Sequence, residues 1–392
     1  MKLIWAISRL SGGGAEHVLM QLANYSYEKN IQTELLVTNQ YSGEANMSGL
    51  NQAIPVTFLQ DRLQKRKKTN KQVFTLCKCL ELAGLAVPDS LARSSFLQLY
   101  EEYVADTYDY LEENRDAAIV SFLQPTSEIL MMAKAKGTNN PLIVSERGDP
   151  TKFMQTRYAR FFLNTYYPNL QGMVFQTPDA MAAYPESCRK KGIVIPNPIP
   201  KDLPNVFEGT RKKVIVNFCR LTLPKNPMLL LAAFERFADQ NPDYRLEFIG
   251  NGELKDEMLN YIAGMKYGDR VSVLPHRDNL HESIKEYAMF VSSSDWEGMS
   301  NSMLEAMAIG LPTICTNCPI GGARNIIDDH INGILVPTND VEKLAAAMNE
   351  VANNVELSNR FSENGRKLKE QLSIESIGDQ WLSYIREHCG VE

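Results

Sequence analysis

Glu297 and Glu305 stand eight residues apart in "DWEGMSNSMLEAMAIGLPTI", residues 295–314. Ser300 and Asn301 are good N-caps, and Gly310 followed by Pro312 is a stop, so the spacing predicts a helix that starts at Ser300 or Asn301 and ends near Gly310. Glu297 then lies in the loop before the helix, and Glu305 sits about one turn inside it. Between them, the backbone N–H groups of Met299 to Ser302 and the positive helix end offer a seat for an anion. A carboxylate beside such a seat suits sugar hydroxyls rather than the phosphate itself. Taken alone, the pair reads more readily as a loop charge and a surface helix residue.

Two further stretches carry groups of the same chemistry. "FCRLTLPKNP" places Arg220 and Lys225 five residues apart after an apolar run, where a forked guanidinium and a point-charge ammonium could neutralise a diphosphate. "FIGNGELKDE" puts Gly250 and Gly252 in a strand-to-helix loop that lets backbone approach a ligand closely. Each is weak in isolation, because solvated charges and loop glycines are common.

Positioning these groups requires a series of strand ends, and the chain supplies one. "KLIWAIS", a glycine cluster, "AEHVLMQLANYSYEKN" and "TELLVTN" read as strand, loop, helix and strand. Apolar runs at 117–123, 141–147, 172–177 and 192–198 continue the alternation, and "IPNPIPKDLPN", rich in proline, reads as an interdomain linker. A second series follows, with runs at 212–219, 244–250, 271–275, 288–294, 312–316 and 333–337 and helical segments expected between them. The expected fold class is α/β, with two doubly wound Rossmann-like domains facing across a cleft. The expected domains are 1–198, 199–375, and a helix at 376–392 packing back on the first.

Composition agrees with a globular chain of two domains: 392 residues, 44% hydrophobic and 22% charged, with a formal charge of −6. That charge argues against a surface made for nucleic acid. Seven cysteines, an odd number, and no N-terminal apolar run long enough for a signal peptide lead to the expectation of a reducing, cytoplasmic setting. Cys315 and Cys318 form a lone C-x-x-C with no second pair or His at ligand spacing, which reads as structural rather than metal-binding.

In order, "CRLTLPKN", "FIGNGEL", "EGMSNSMLEAMAIGLPTI", "GGARNII" and "NGILVP", with "GGGAEHVL" and "IPNPI" in the other half, resemble family 4 retaining glycosyltransferases of the GT-B fold, among them bacterial enzymes of surface-polysaccharide and lipid-linked oligosaccharide assembly. Glu297 and Glu305 match the family's E-x7-E motif. The resemblance implies that Arg220 and Lys225 bind the diphosphate of a nucleotide sugar, that Glu305 binds ribose hydroxyls, and that Glu297 contacts the transferred sugar. It implies that backbone at Gly298, Met299, Ser300 and Asn301 holds sugar and phosphate, with Gly252 and His276 nearby. Gly13 and Gly14 would face the phosphates from the N-terminal domain. No cofactor and no metal are implied, the nucleotide sugar (most readily a UDP-sugar) being a co-substrate. The implied reaction is transfer of a hexose or N-acetylhexosamine, with retention, to a hydroxyl of a glycan acceptor, with polyprenyl-diphosphate-linked glycans as the expected class.

Cys219 and Asn325 depart from the pattern, standing where relatives carry Gly and Glu, and the sugar-contacting His of many relatives has no counterpart in "SFLQPTSE". "VSERGDP" resembles a stretch of bacterial polysaccharide transferases and makes Arg147 a candidate acceptor contact. The segment 61–80 holds seven Lys or Arg against one Asp. Lys65, Arg66, Lys67, Lys68 and Lys71 are therefore candidates for peripheral contact with an anionic membrane, the alternative being a solvated charged loop. Competing readings are a GT-B epimerase and a non-catalytic sugar-nucleotide or membrane-binding module. A Rossmann oxidoreductase fails because a G-x-G-x-x-G pattern from Gly12 ends on His17 and the next strand ends on Asn39.

Overall fold

The computed structural model describes residues 2–63, 76, 79–80, 88–156 and 158–390. The chain divides into two units: Met1–Gln176, Ala180–Ile195 and Gly378–Glu392 form unit 1, and Thr177–Asp179 with Pro196–Ile377 form unit 2. Each has its own parallel sheet and core.

In unit 1 the strands are β1 (Lys2–Ile7), β2 (Gln32–Val37), β3 (Val56–Phe58), β4 (Ala117–Phe122), β5 (Leu142–Glu146), β6 (Gly172–Phe175) and β7 (Gly192–Val194). They pair in parallel in the order β3-β2-β1-β4-β5-β6-β7. All six residues of β4 are buried, so its side chains face packed layers on both sides. That is why these strands read as continuous apolar runs rather than alternating ones. Trp5, Phe122 and Trp381 close the core with ring centroids 5.5 to 6.0 Å apart. Trp381 comes from the helix Ile374–Cys389, whose residues from Gly378 onward belong to unit 1. On the same helix, Tyr384 donates from its hydroxyl to the Met173 carbonyl at 3.2 Å and accepts the Met173 N–H at 2.9 Å.

In unit 2, β8 (Lys212–Phe218), β9 (Arg245–Ile249), β10 (Val271–Leu274), β11 (Tyr287–Ser292), β12 (Thr313–Thr316) and β13 (Ile334–Val336) form a parallel sheet ordered β10-β9-β8-β11-β12-β13. Its core gathers Leu230, Phe234 and Phe237 from the helix Pro227–Ala238 with Phe248, Met289 and Met348. The expected helix between "PTICT" and "GILVP" is absent: residues 317–333 form turns and a bridge. The proline-rich stretch after Ile195 is packed rather than a loose tether. Ile199 N–H donates to Leu372 O at 2.9 Å, and the Lys369 ammonium donates to Leu203 O at 2.8 Å.

Strand order reverses between β1 and β4 in one sheet and between β8 and β11 in the other. Ligands of open α/β sheets bind at the carboxyl ends of strands at such switch points. Arg220 and Lys225 follow β8, Glu297 follows β11, and the glycine loop follows β1, so the topology brings most candidate residues to switch points.

Candidate functional site

The switch point of unit 2 is made by three loops tied to one another. After β8 the chain makes a short 3-10 turn, Leu223–Lys225, and then Asn226 adopts a left-handed conformation at φ 41° to cap the helix Pro227–Ala238. Its side-chain oxygen accepts the Leu229 N–H at 3.1 Å while its amide donates to both oxygens of Asp295 at 2.9 Å. The β11 loop answers with Asp295 N–H to Pro224 O at 3.0 Å and Ser293 Oγ to Asn226 O at 2.8 Å. A third loop clamps Glu297 by its backbone. Glu297 N–H donates to Pro319 O at 2.9 Å, and Ile320 N–H returns to Glu297 O at 3.2 Å.

Held this way, the Glu297 carboxylate forms an ion pair with the Lys225 ammonium, both side chains being mostly buried. Burial pushes the Lys225 ammonium down from its usual range, and the Arg220 charge adds to that; an anionic ligand beside it would reverse the trend. Arg220 is exposed, and among the described residues its guanidinium makes no hydrogen bond or ion pair. The sequence therefore placed both cations at one strand end, but only Lys225 is engaged with a carboxylate.

The predicted helix runs Asn301–Ala308, with Ser300 as N-cap accepting the Met303 N–H at 3.4 Å. Its hydrogen-bond ladder opens with Leu304 N–H to Ser300 O, so the amides ahead of it lie at the positive helix end. Asn197, of "IPNPI", is buried against that end: its amide donates to Met299 O at 3.2 Å and to Asn301 Oδ1 at 2.6 Å. Glu305, one turn in, is met by His281, with Nε2 2.9 Å from Oε2. His281 in turn packs edge-on against Phe218 at 6.0 Å. The two carboxylates thus have different partners, an ammonium for Glu297 and an imidazole for Glu305.

The glycines serve packing as well as space. A Cβ on Gly252 would lie 2.6 Å from Leu221 C, and one on Gly250 would overlap the Cys219 carbonyl, so these glycines let the β9 loop lie on the β8 loop. Gly322 plays the same part against Gly298. Cys219 turns its thiol to Asn217 Oδ1 at 3.0 Å, and burial pushes that thiol up to about 11. Cys315 and Cys318 are buried with thiols pushed upward, the reverse of the lowered thiol a redox motif needs. His276 is exposed in the turn after β10.

In unit 1, Gly13 is the N-cap and Gly14 the first residue of α1 (Gly14–Glu28). Gly13 N–H donates to the Glu16 carboxylate at 2.9 Å, and Ser11 N–H donates to the same oxygen, so Glu16 already neutralises part of this loop's amide charge. Arg147 is packed inside rather than displayed, 7% exposed, with Nε to Ser145 Oγ at 2.9 Å and its guanidinium 4.2 Å over the Phe122 ring. Burial lowers it to about 9, which still leaves it charged at neutral pH. Beside it in sequence, the Glu146 carboxylate accepts from the Tyr184 hydroxyl at 2.5 Å, and buried Glu128 is pushed up to about 8. Lys65, Arg66, Lys67, Lys68 and Lys71 lie outside the described residues.

Asn197, Asn226, Asp295 and His281 were not singled out from the sequence. Asn226 was findable, since Asn before Pro is a strong helix-start signal. His281 was not, because nothing in "DNLHESI" distinguishes a histidine that reaches another element from one on a helix face.

A family model described as "Glycosyl transferases group 1" matches residues 199–368. An uncharacterised glycosyltransferase of Haemophilus influenzae is 28% identical over 196 residues, covering 49% of this chain and 54% of that relative, so the match spans about half of its length. A Campylobacter jejuni enzyme, GalNAc-α-(1→4)-GalNAc-α-(1→3)-diNAcBac-PP-undecaprenol α-1,4-N-acetyl-D-galactosaminyltransferase, is 24% identical over 99% of both chains. Among solved structures, Anabaena HepE in complex with UDP-glucose is similar at a TM-score of 0.76 and 17% identity, covering 99% of this chain and 100% of that one. The two parallel sheets and this likeness give the GT-B fold.

Proposed function

We propose that this chain, a GT-B glycosyltransferase with a group 1 domain at 199–368, moves a hexose or N-acetylhexosamine from a UDP-sugar to a hydroxyl of a polyprenyl-diphosphate-linked glycan, with retention. The observation that carries the reading is the unit 2 switch point, where Lys225 pairs with Glu297 and His281 with Glu305 on either side of one helix start. The undecaprenyl-diphosphate-linked substrate in the Campylobacter relative's name and the UDP-glucose held by the Anabaena protein support the acceptor and nucleotide classes.

In this reading the diphosphate seats on the amides of Gly298 to Asn301, with Lys225 and Arg220 closing on its oxygens. Glu305, oriented by His281, accepts from the ribose hydroxyls. Glu297 accepts from hydroxyls of the transferred sugar. The bond between C1 and the diphosphate oxygen breaks as an oxocarbenium-like sugar forms. An acceptor oxygen then bonds to C1 on the same face, and its proton passes to the leaving phosphate. Two cations and a helix end carry the developing charge, so the reaction runs without a bound metal. The basic segment 61–80 brings the chain to an anionic membrane surface where such acceptors reside; among the described residues, no helix is long and apolar enough to cross a membrane.

The test is a panel of UDP-, GDP- and TDP-sugars incubated with polyprenyl-diphosphate-linked glycans, with and without EDTA. Nucleoside diphosphate release is followed, and the anomeric configuration of the product is read by NMR. A retained product from a UDP-sugar, unaffected by EDTA, is expected. An inverted product, release with GDP-sugars alone, or loss of activity in EDTA would overturn the corresponding part.

A further inference from the structure

Unit 1 contains a second polar site that none of the assignments above uses. Beyond the ends of β1 and β2 lies a cavity of about 440 Å³ lined by Arg9, Ser11, Asn39, Gln40, Tyr41, Glu44 and Gln60. That volume falls within the range of small-molecule clefts, about 300–1,000 Å³. Every described lining side chain is polar, or aromatic with a polar tip, and among them one guanidinium and one carboxylate balance each other.

Its floor is built. Buried Gln40 accepts the Leu10 N–H at 2.7 Å and donates to Glu44 O at 2.9 Å, fixing the chain after β2. The Gln60 amide donates to Asn39 Oδ1 at 3.1 Å and to the Tyr103 hydroxyl at 2.8 Å, and that hydroxyl donates to Asn39 Oδ1 at 3.3 Å. These bonds consume one side of each amide and leave the other: Nδ2 of Asn39 as a donor and Oε1 of Gln60 as an acceptor. The Arg9 guanidinium, the Tyr41 and Ser11 hydroxyls and the Glu44 carboxylate have no hydrogen-bond partner among the described residues. Tyr41, 41% exposed, adds an aromatic body at the rim.

We propose that this cavity is a subsite for a neutral sugar ring of the acceptor glycan, a reading that rests on the transferase assignment. A ring of vicinal hydroxyls needs paired donors and acceptors at fixed positions, with an aromatic wall for its C–H face, and the cavity offers both. A phosphate or pyrophosphate ligand is disfavoured because Glu44 would stand against it with Arg9 as the one cation among the described lining residues. A hydrophobic ligand would leave these six polar end groups without partners.

The probes are methyl α-glycosides of N-acetylgalactosamine, N-acetylglucosamine, galactose and glucose, measured by saturation-transfer NMR against the full chain, Tyr41→Ala and Asn39→Ala. At least one glycoside should give a signal that both variants lose and that excess inorganic phosphate does not displace. In transfer assays both variants should raise the acceptor KM about tenfold, the loss of one or two such contacts. The Kd for UDP-glucose should stay at the wild-type value, and thermal unfolding should show both variants folded. No glycoside signal, a signal equal in both variants, or displacement by phosphate would overturn the subsite. The two readings fail separately. Wild-type transfer with an unaltered acceptor KM in both variants removes the subsite and leaves the transferase. Glycoside binding lost in the variants, with no nucleoside diphosphate release from any donor, keeps the glycan site and removes the transferase.

Discussion

Replacing Gly322 with alanine tests how tightly the Glu297 loop is held. A Cβ at position 322 would overlap the Gly298 carbonyl oxygen, lie 2.6 Å from the Gly298 carbonyl carbon and 3.1 Å from Met299 Cα. Ordinary contact begins at 3.4 Å, and all three atoms are backbone, so no side chain can swing away to make room. The Gly298 peptide must therefore retreat by at least about 1 Å, carrying with it the backbone between Glu297 and the helix start. A misplacement of that size in a reacting site costs on the order of a hundredfold in rate. The assay compares kcat and KM for transfer in wild type, Gly322→Ala and the control Gly264→Ala, where a Cβ meets nothing within 4 Å. Thermal unfolding of each variant separates a shifted loop from a lost fold. The expected result is a kcat down on the order of a hundredfold for Gly322→Ala with the melting point largely kept, and a wild-type kcat for the control. A folded Gly322→Ala enzyme with wild-type kcat would show that the loop's position is not what the reaction depends on.

Two further outcomes follow from the same geometry. His281→Ala removes the 2.9 Å contact that orients Glu305 and should raise the nucleotide-sugar KM by about 2- to 12-fold, as expected for one hydrogen bond, with His281→Gln restoring part of it; a fall in kcat at constant KM would place His281 in the chemistry instead. Glu128, buried and pushed up to about 8 with Glu146 adding to the effect, stays protonated in the folded chain while the unfolded chain ionises from its usual value near 4.5 upward. Folding stability should therefore fall as pH rises between 4.5 and about 8, and Glu128→Gln should flatten that slope, melting higher than wild type at pH 8 and little changed at pH 4. Parallel pH–stability curves for the two proteins would refute it.

The architecture was legible because parallel strands buried on both faces write long apolar runs, as "AAIVSF" and "VIVNF" do, and because Gly and Pro mark their ends. The helix at 301–308 was legible from its cap and stop. The 317–333 connection was misread as helical because its glycines, of which Gly322 serves the close approach to Gly298, look like any loop punctuation inside an αβ series. The carboxylate pair and the two cations were visible by type and spacing, but their pairing was not. Which cation reaches Glu297 depends on the left-handed turn at Asn226, and that His281 meets Glu305 depends on how the chain after β10 folds back. Arg147 shows the converse limit. The motif that holds it was visible, but that its charge is packed over Phe122 is a fact of tertiary burial that no local pattern records.

In the proposed reaction Glu297 acts on the transferred sugar while the neighbouring groups hold the nucleotide. The most direct measurement of that role is the transfer rate of Glu297→Ala alongside its affinity for UDP by calorimetry. The expected result is a loss of kcat on the order of a hundredfold or more, with UDP still bound by Lys225, Arg220, Glu305 and the helix end. A Glu297→Ala enzyme that transfers at the wild-type rate, or one that loses UDP binding in step with activity, would contradict it.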